Sequence, residues 1–365
     1  MSEVQKNTAE INCKQCGAKL TYAPGTNQLK CEYCGAQNDI AKSDEKIEEI
    51  DFFKFLKEFE TQSPKQDLVT VKCESCGAQT SFDANVTSDS CAFCGSPIVA
   101  GNQSVHHLVQ PKSLLPFQVD RKKGLELYQK WIKGLWFAPG KLKQYARTDA
   151  KFAGMYIPYW TYDAATTSRY TGERGTDYYR TETYTTTENG QSVTKTRQVK
   201  DTVWTRVSGT VYDNFDDVLI IASQSLPKKY AEKLEPWDLE NLVPYNPNYL
   251  SGYKTECYQV DLKEGFEESK GVMAESIRQT ICKDIGGDHQ RVSSVDSSYN
   301  NVTFKHILLP IWLSAYRYNN KAYRFLINGR TGEVQGERPY SWIKITLTIL
   351  AVIAVIGIIA VIANQ

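Results

Sequence analysis

The chain has 365 residues, a net charge of +1 and 41% hydrophobic content, which excludes a disordered polyampholyte and gives no overall charge to draw it to nucleic acid. Its length allows two or three domains with at least one sizeable core. Eight of the ten cysteines form four Cys-x-x-Cys pairs before residue 95, and MSEVQKNTAE lacks the apolar core of a secretory signal, so metal thiolates are favoured over a disulfide framework.

In chain order, residues 11–40 predict a first zinc ribbon with Cys13, Cys16, Cys31 and Cys34 as ligands. Residues 71–100 repeat it with Cys73, Cys76, Cys91 and Cys94, again with 14 residues between the pairs and at an offset of 60. Cysteines at i and i+3 on a tight turn put two thiolates on one side of a metal, and Gly17, Gly35, Gly77 and Gly95 let the backbone turn beneath them. Two such knuckles close a tetrahedral four-thiolate site with no open position, which makes it structural. An iron–sulfur centre is chemically open to the same ligands, but spacing and repetition favour Zn2+ in two structural sites. A redox role is weaker, because redox motifs stand singly before a helix.

Between the ribbons, residues 43–63 place Phe52, Phe55, Leu56 and Phe59 at helical spacing, predicting an amphipathic helix of about four turns with Ser43 as N-cap and Ser63-Pro64 as its stop. Residues 105–340 predict an α+β domain with internal duplication. FQVDRKKGLELY at Phe117 matches YQVDLKEGFEES at Tyr258. Each copy enters a helical run, Leu125 to Phe137 and Phe266 to Ile285, and each is followed by an apolar-Pro-x-Trp strand, Ile157–Trp160 and Leu309–Trp312. Pro158 and Pro310 would need strand starts or edges. Around residues 176–204, Thr- and Tyr-rich sequence about Asn189-Gly190 predicts an exposed hairpin with two polar faces.

Residues 345–363, ITLTILAVIAVIGIIAVIA, carry no charge over 19 residues and span ~28 Å as a helix, close to the ~30 Å of a bilayer core. Arg324, Arg330, Arg338 and Lys344 precede this run, which predicts a single-pass C-terminal anchor in the cell membrane with the N-terminal domains in the cytoplasm.

Charge argues against nucleic acid as a partner. Residues 1–100 hold 10 basic and 15 acidic residues, a net of −5, while the remaining 265 hold 33 and 27, a net of +6. Phosphate binding draws its affinity from a basic patch. The acidic ribbons are expected to form an arm held out from the membrane for cytosolic or membrane-associated protein partners, and the positive domain to face an anionic leaflet. Homo-oligomerisation stays open. The four histidines stand at no ligand spacing, Cys257 and Cys282 read as buried thiols, and GLWFAPGKL departs from a phosphate loop in length and in Leu142. A non-enzymatic adaptor is therefore expected, with a membrane-tethered nucleic-acid or transcription-linked factor as the alternative.

The tandem CxxCG ribbons, the PYW and LLPIW strands, FDDVLIIAS and the block from Val302 to Pro339 together resemble a family of bacterial TFIIB-type zinc-ribbon membrane proteins, over essentially the whole chain. The resemblance implies a role in recruiting phage-shock-protein-A-like and SPFH proteins to the membrane under envelope stress. It also implies that all eight ribbon cysteines are ligands.

Overall fold

The computed structural model describes residues 11–41, 43, 45–62, 66–75, 77–81, 88–91, 93, 96–99, 103–140, 152–188, 191–318 and 321–363. The chain is a mixed helix-and-sheet protein with a large, mainly antiparallel sheet and one apolar C-terminal helix.

Strands β1 (Leu20–Tyr22), β2 (Gln28–Cys31) and β3 (Gln37–Asp39) form a small antiparallel sheet. Next come β4 (Ile50–Asp51) and α1 (Phe52–Gln62). This helix is shorter than the expected 43–63. Ile50 and Asp51 pair with Phe304 and Thr303, and Asp51 rather than Ser43 caps the helix, its Oδ1 accepting from Lys54 N at 2.8 Å. The expected stop at Ser63-Pro64 lies outside the described residues. Strands β5 (Gln66–Lys72), β6 (Gln79–Ser81), β7 (Ser88–Ser90), β8 (Pro97–Val99) and β9 (Gln103–Leu108) follow, with β5 between β6 and β9.

The main sheet then begins with β10 (Ser113–Leu114), α2 (Arg121–Gly134), β11 (Ala153–Glu188) and β12 (Gln191–Ile221). A short helix α3 (Lys228–Ala231) and strands β13 (Val243–Pro244) and β14 (Lys254–Thr255) lead to α4 (Leu262–Ile285). The chain closes with β15 (His289–Tyr318), β16 (Lys321–Asn328), β17 (Val334–Gly336) and α5 (Trp342–Ala363).

β11 and β15 lie antiparallel at the centre, with Ile157 opposite Leu309. Both faces of this centre are buried, which explains the unbroken apolar run Ile307–Leu309 and Ile311–Leu313 where a half-exposed strand would alternate. One face, with Tyr156, Leu308 and Trp312, is covered by α2 and by the first cysteine module. Further along that face, Trp160, Tyr162 and Phe304 meet α1 and α4. The opposite face, with Met155, Ile157, Leu309 and Ile311, is covered by Val71, Cys73, Cys91 and Phe93 of the second module and by Leu226–Trp237.

Of the two expected places, strand starts or edges, Pro158 and Pro310 take the second, although they sit inside long central strands. Each nevertheless has a local edge. On its outer side β11 pairs with β14 at Met155–Tyr156 and with β12 from Tyr159, so Pro158 falls in the gap. Likewise β15 pairs with β10 at Ile307–Leu308 and with β16 from Ile311, and Pro310 falls in that gap. Their carbonyls face outward, accepting from Ala222 N at 3.0 Å and Gly329 N at 2.8 Å, so the missing N–H breaks no ladder bond. The pairings β10·β15 and β11·β14 are parallel, so the sheet is not purely antiparallel.

Positions in the two halves match in detail. Asp120 and Asp261 cap α2 and α4 alike, accepting from Lys123 N and Glu264 N at 2.7 Å each. Trp160 Nε1 donates to Val260 O at 2.9 Å, and Trp312 Nε1 donates to Val119 O at 2.8 Å, so each indole reaches the segment that starts the other half's helix. Gly124 and Gly265 face Trp312 and Trp160 in the same manner.

β11 and β12 run beyond the end of β15, which last pairs at Gly175–His289, and stay in register to Glu188–Gln191. This leaves a two-stranded ribbon from Thr176, ~43 Å long at ~3.3 Å per residue. Asn189-Gly190 at its tip lies outside the described residues. Ion pairs Arg180–Asp201 (2.5 Å), Arg197–Glu182 (2.7 Å) and Lys200–Asp177 (2.6 Å) link its strands.

Two outcomes follow from this packing. A Cβ at Gly265 would lie 2.5 Å from Tyr162 Oη and 3.0 Å from Trp160 Cδ1, so Gly265→Ala is expected to cost about 1–3 kcal/mol, read by thermal unfolding of the detergent-solubilised chain. His306 is 4% exposed, and its Nδ1–H donates to Val109 O at 2.8 Å. Burial holds its pKa down at about 4. With an unfolded value of ~6.5, the neutral ring's contribution is complete above that pH and is lost as pH falls through about 4, a loss of order 3 kcal/mol. His306→Asn should flatten the stability profile over this interval, and an unchanged acid slope would remove His306 from the account.

Candidate metal centre

The site begins with two turns of the same construction. Gly17 N donates to Cys13 O at 2.8 Å and Cys13 N to Ala18 O at 2.7 Å; Gly35 N donates to Cys31 O at 3.0 Å and Cys31 N to Ala36 O at 2.8 Å. Gly17 and Gly35 have φ of +74° and +76°, which a side chain would strain although there is open space for a Cβ. Each turn holds its first cysteine inward and its second outward: Cys13 and Cys31 are buried, Cys16 and Cys34 exposed.

β2 carries Cys31 on the strand beside Leu20 of β1, and this brings the turns face to face. Sγ of Cys13 lies 3.5 Å from Sγ of Cys34, Sγ of Cys16 lies 3.5 Å from Sγ of Cys31, and all four sulfurs are within 4.8 Å of one another. A tetrahedral cation with ~2.3 Å bonds needs sulfurs ~3.8 Å apart, so the donor set fits a closed four-thiolate metal. Backbone N–H groups of Cys16 and Gln15 hold the Cys13 thiol below its ordinary range, and those of Cys34 and Tyr33 lower Cys31 to about 6. Cys34 receives an N–H from Ala36, but the thiols of Cys13, Cys16 and Cys31, together with burial, outweigh it and push Cys34 up to about 12. Four thiolates cannot share this volume without a cation to compensate them.

The module does not stand apart from the sheet. Tyr22 N donates to Ser251 O at 2.9 Å, Ser251 Oγ donates to Leu20 O at 2.6 Å, and Gly25 N donates to Phe117 O at 2.8 Å. The Tyr22 ring packs edge-on against Tyr249 at 5.2 Å, and Tyr253 stacks on Phe117 at 4.3 Å. Cys13, Leu20, Leu29 and Cys31 share one apolar cluster with Phe117 and Tyr128. The expected arm held out from the membrane is corrected here, because the module's small core is completed by the sheet domain. Its exposed tip is Glu32 and Tyr33, the latter 85% exposed.

Among the described residues there is one four-cysteine cluster, where two were expected. Cys76 and Cys94 lie outside the described residues. Cys73 sits in a third turn of the same kind, with Gly77 N donating to Cys73 O at 2.8 Å and Gly77 at φ +78°, and both Cys73 and Cys91 are buried. Of the remaining thiols, Cys257 is buried and burial pushes it to about 12, whereas Cys282 is only part-buried.

Sequence reasoning missed one charged cluster. Both neighbours of β11 bulge here, β12 with Asp216 and Asp217 opposite Asp163 and β15 with Asn301 and Val302 opposite Ala164, and Asp217 and Asn301 each stand at φ +51°. Asp163 accepts from Asp217 N at 2.7 Å and Thr303 Oγ1 at 2.6 Å, and burial raises its pKa. Glu49, Asp163 and Asp216 converge, but Lys305, 7% exposed, already supplies the cation, reaching Asp217 at 2.7 Å and Glu49 at 3.2 Å. The adjacent acids in FDD were its one visible trace.

Cys31→Ser should abolish tight metal binding at this site and remove the thiolate-to-metal absorption of a cobalt-substituted chain. Retention of that absorption would exclude Cys31 as a ligand. Binding should weaken on acidification, since the ligands bind as thiolates.

No family model matches the chain, and no solved structure matches it. It is similar to the uncharacterized protein YdjG of Bacillus subtilis (strain 168), with 27% identity over 340 residues covering 76% of this chain and 92% of the relative.

Proposed function

We propose that the chain is a non-enzymatic, membrane-anchored adaptor whose cysteine modules are zinc ribbons that dock a cytosolic protein. Zn2+ is the metal of choice for a closed four-thiolate site with no open position. The sequence repeat assigns Cys73, Cys76, Cys91 and Cys94 to a second such site. α5, apolar and uncharged beyond Lys344 and with its apolar stretch bare of any packing, is the anchor. Of the four cations before it, Arg330 is paired with Asp238, which leaves the charges of Arg324, Arg338 and Lys344 to keep the preceding domains in the cytoplasm. The matched caps, indole bonds and glycines of the two halves support a duplicated unit. The resemblance noted above supports a role in envelope stress, with recruitment of phage-shock-like or SPFH proteins.

One observation carries this reading. The first module shares its apolar cluster with Leu135 and Ala138, and this loop bonds to the first turn of α5. The Tyr33 tip is thereby mounted at a set position relative to the apolar helix, as a docking handle requires. An exposed tyrosine is a common anchor residue at interfaces.

Affinity capture from solubilised membranes tests it. Tyr33→Ala should keep the metal yet reduce recovery of one defined protein partner roughly thirtyfold, the weight of an interface hot spot. Paired Cys13→Ser and Cys73→Ser changes should abolish recovery. Unchanged recovery in all variants, or duplex DNA in place of a protein, overturns the proposal.

A further inference from the structure

The root of α5 is clamped by the loop that follows α2. Three successive loop carbonyls are engaged: Phe137 O accepts from Ser341 N at 2.7 Å, while Lys344 Nζ donates to Trp136 O at 3.1 Å and Ala138 O at 2.9 Å. Leu135 and Ala138 are buried at 5% and 3%, and they fasten the loop inward. The two residues between them are turned out, with Trp136 74% exposed and Phe137 37% exposed.

The helix side of the clamp is equally bare. Tyr340, Trp342 and Ile343 are 54%, 79% and 74% exposed, and Arg338 Nε reaches Tyr340 Oη at 3.4 Å. Four aromatic rings therefore stand in water at one place on a domain that packs Trp160, Trp237 and Trp312 inside and leaves Trp131 and Trp204 part-buried. Exposed apolar side chains gathered in this way mark an interaction site. Indole and phenol rings beside the end of an apolar helix match the aromatic belt at the membrane–water boundary, where an apolar body and a polar N–H or O–H are both satisfied.

We propose that the Trp136–Phe137 loop is a second membrane contact, lying at the headgroup–acyl boundary against phospholipid beside the root of α5. The surface is continuous with the apolar helix, and this continuity selects lipid as its occupant over a second copy of the chain. The inference rests on α5 being the anchor. A lone helix leaves rotation about its own axis unset, and tilt and rotation are fixed by interfacial anchors and neighbouring contacts. The loop supplies such an anchor off the helix axis, and its clamp passes that orientation to the cluster that holds the first metal module.

The test uses the full chain reconstituted in phosphatidylcholine–phosphatidylglycerol vesicles, with phosphatidylcholine brominated either near the headgroup end of the acyl chain or near its terminus. In a Trp342→Phe chain, Trp136 is the remaining indole at the helix root, and its emission is expected to be quenched more by the shallow bromine than by the deep one. Adding Trp136→Phe should remove that excess of shallow quenching, because Trp160, Trp237 and Trp312 are packed inside and part-buried Trp131 and Trp204 are a background common to both chains. If the chain floats with the vesicles and resists alkaline extraction, yet Trp342→Phe emission ignores both bromines, the loop proposal fails while the anchor stands. Protection of Trp136 that depends on the protein-to-lipid ratio also overturns it, in favour of contact between copies. If the chain does not float with the vesicles at all, the anchor and the loop proposal fall together.

Discussion

Everything in this protein is arranged around the antiparallel pairing of β11 with β15 at Ile157–Leu309, buried on both faces. A sheet centre of that kind has no solvated side, so each face must be covered by elements from elsewhere in the chain. α2 and the first cysteine module cover one face, α1 and α4 continue that cover, and the second module with the segment after β12 covers the other. The exchanged indole bonds from Trp160 and Trp312 tie the starts of the two main helices across the centre. Each is a buried donor, and losing its acceptor would leave an N–H stranded in an apolar cluster.

This arrangement changes what the metal does energetically. A free-standing unit of about 30 residues buries too little surface to fold without a metal. Here Tyr22, Leu29 and Ile40 bury against residues that belong to the sheet domain. A metal bound to Cys13, Cys16, Cys31 and Cys34 therefore stabilises the seat at Phe117 and Tyr249–Tyr253 as well as its own two turns, since binding to the folded state is felt by everything that folds with it.

What could be read in advance was the part written in local chemistry. Paired Cys-x-x-Cys-Gly turns converge because each turn is closed by its own backbone bonds, and an uncharged run such as 345–363 needs no partner to declare itself. The matching VDxK segments were visible as a repeat but not as caps, so the two helices, expected from Leu125 and Phe266, start earlier, at Arg121 and Leu262 behind Asp120 and Asp261. What stayed hidden depends on distant residues. Ser251 meets Leu20 across 231 positions, and Lys305 meets Glu49 across 256, and no periodicity encodes either. The linker helix was placed too early for the same reason: acids and Ser43 favour an N-terminus there locally, but pairing of Ile50 with Phe304 takes that backbone into the sheet. The strand prolines do meet the expected edge, but which edge was hidden, because it is not a property of a whole strand. In this sheet an edge is two residues long, the gap where one outer neighbour ends and the next begins.

The same long strands explain how one end of the sheet can be a core and the other a projection. β11 is hydrophobic where modules cover it, becomes polar on one face where α4 covers only the other, and is polar on both faces beyond Gly175 where β15 has ended. Cross-strand ion pairs there take over from burial as the link between strands, and each is worth little because its partners are exposed. Cohesion therefore falls along the sheet from the four-cysteine end toward Glu188 and Gln191. At the end that carries Cys13, Cys16, Cys31 and Cys34, the sheet is covered on both faces and the surface is held in place by that packing. The ribbon end, with two strands and no layer on either face, is suited to reach.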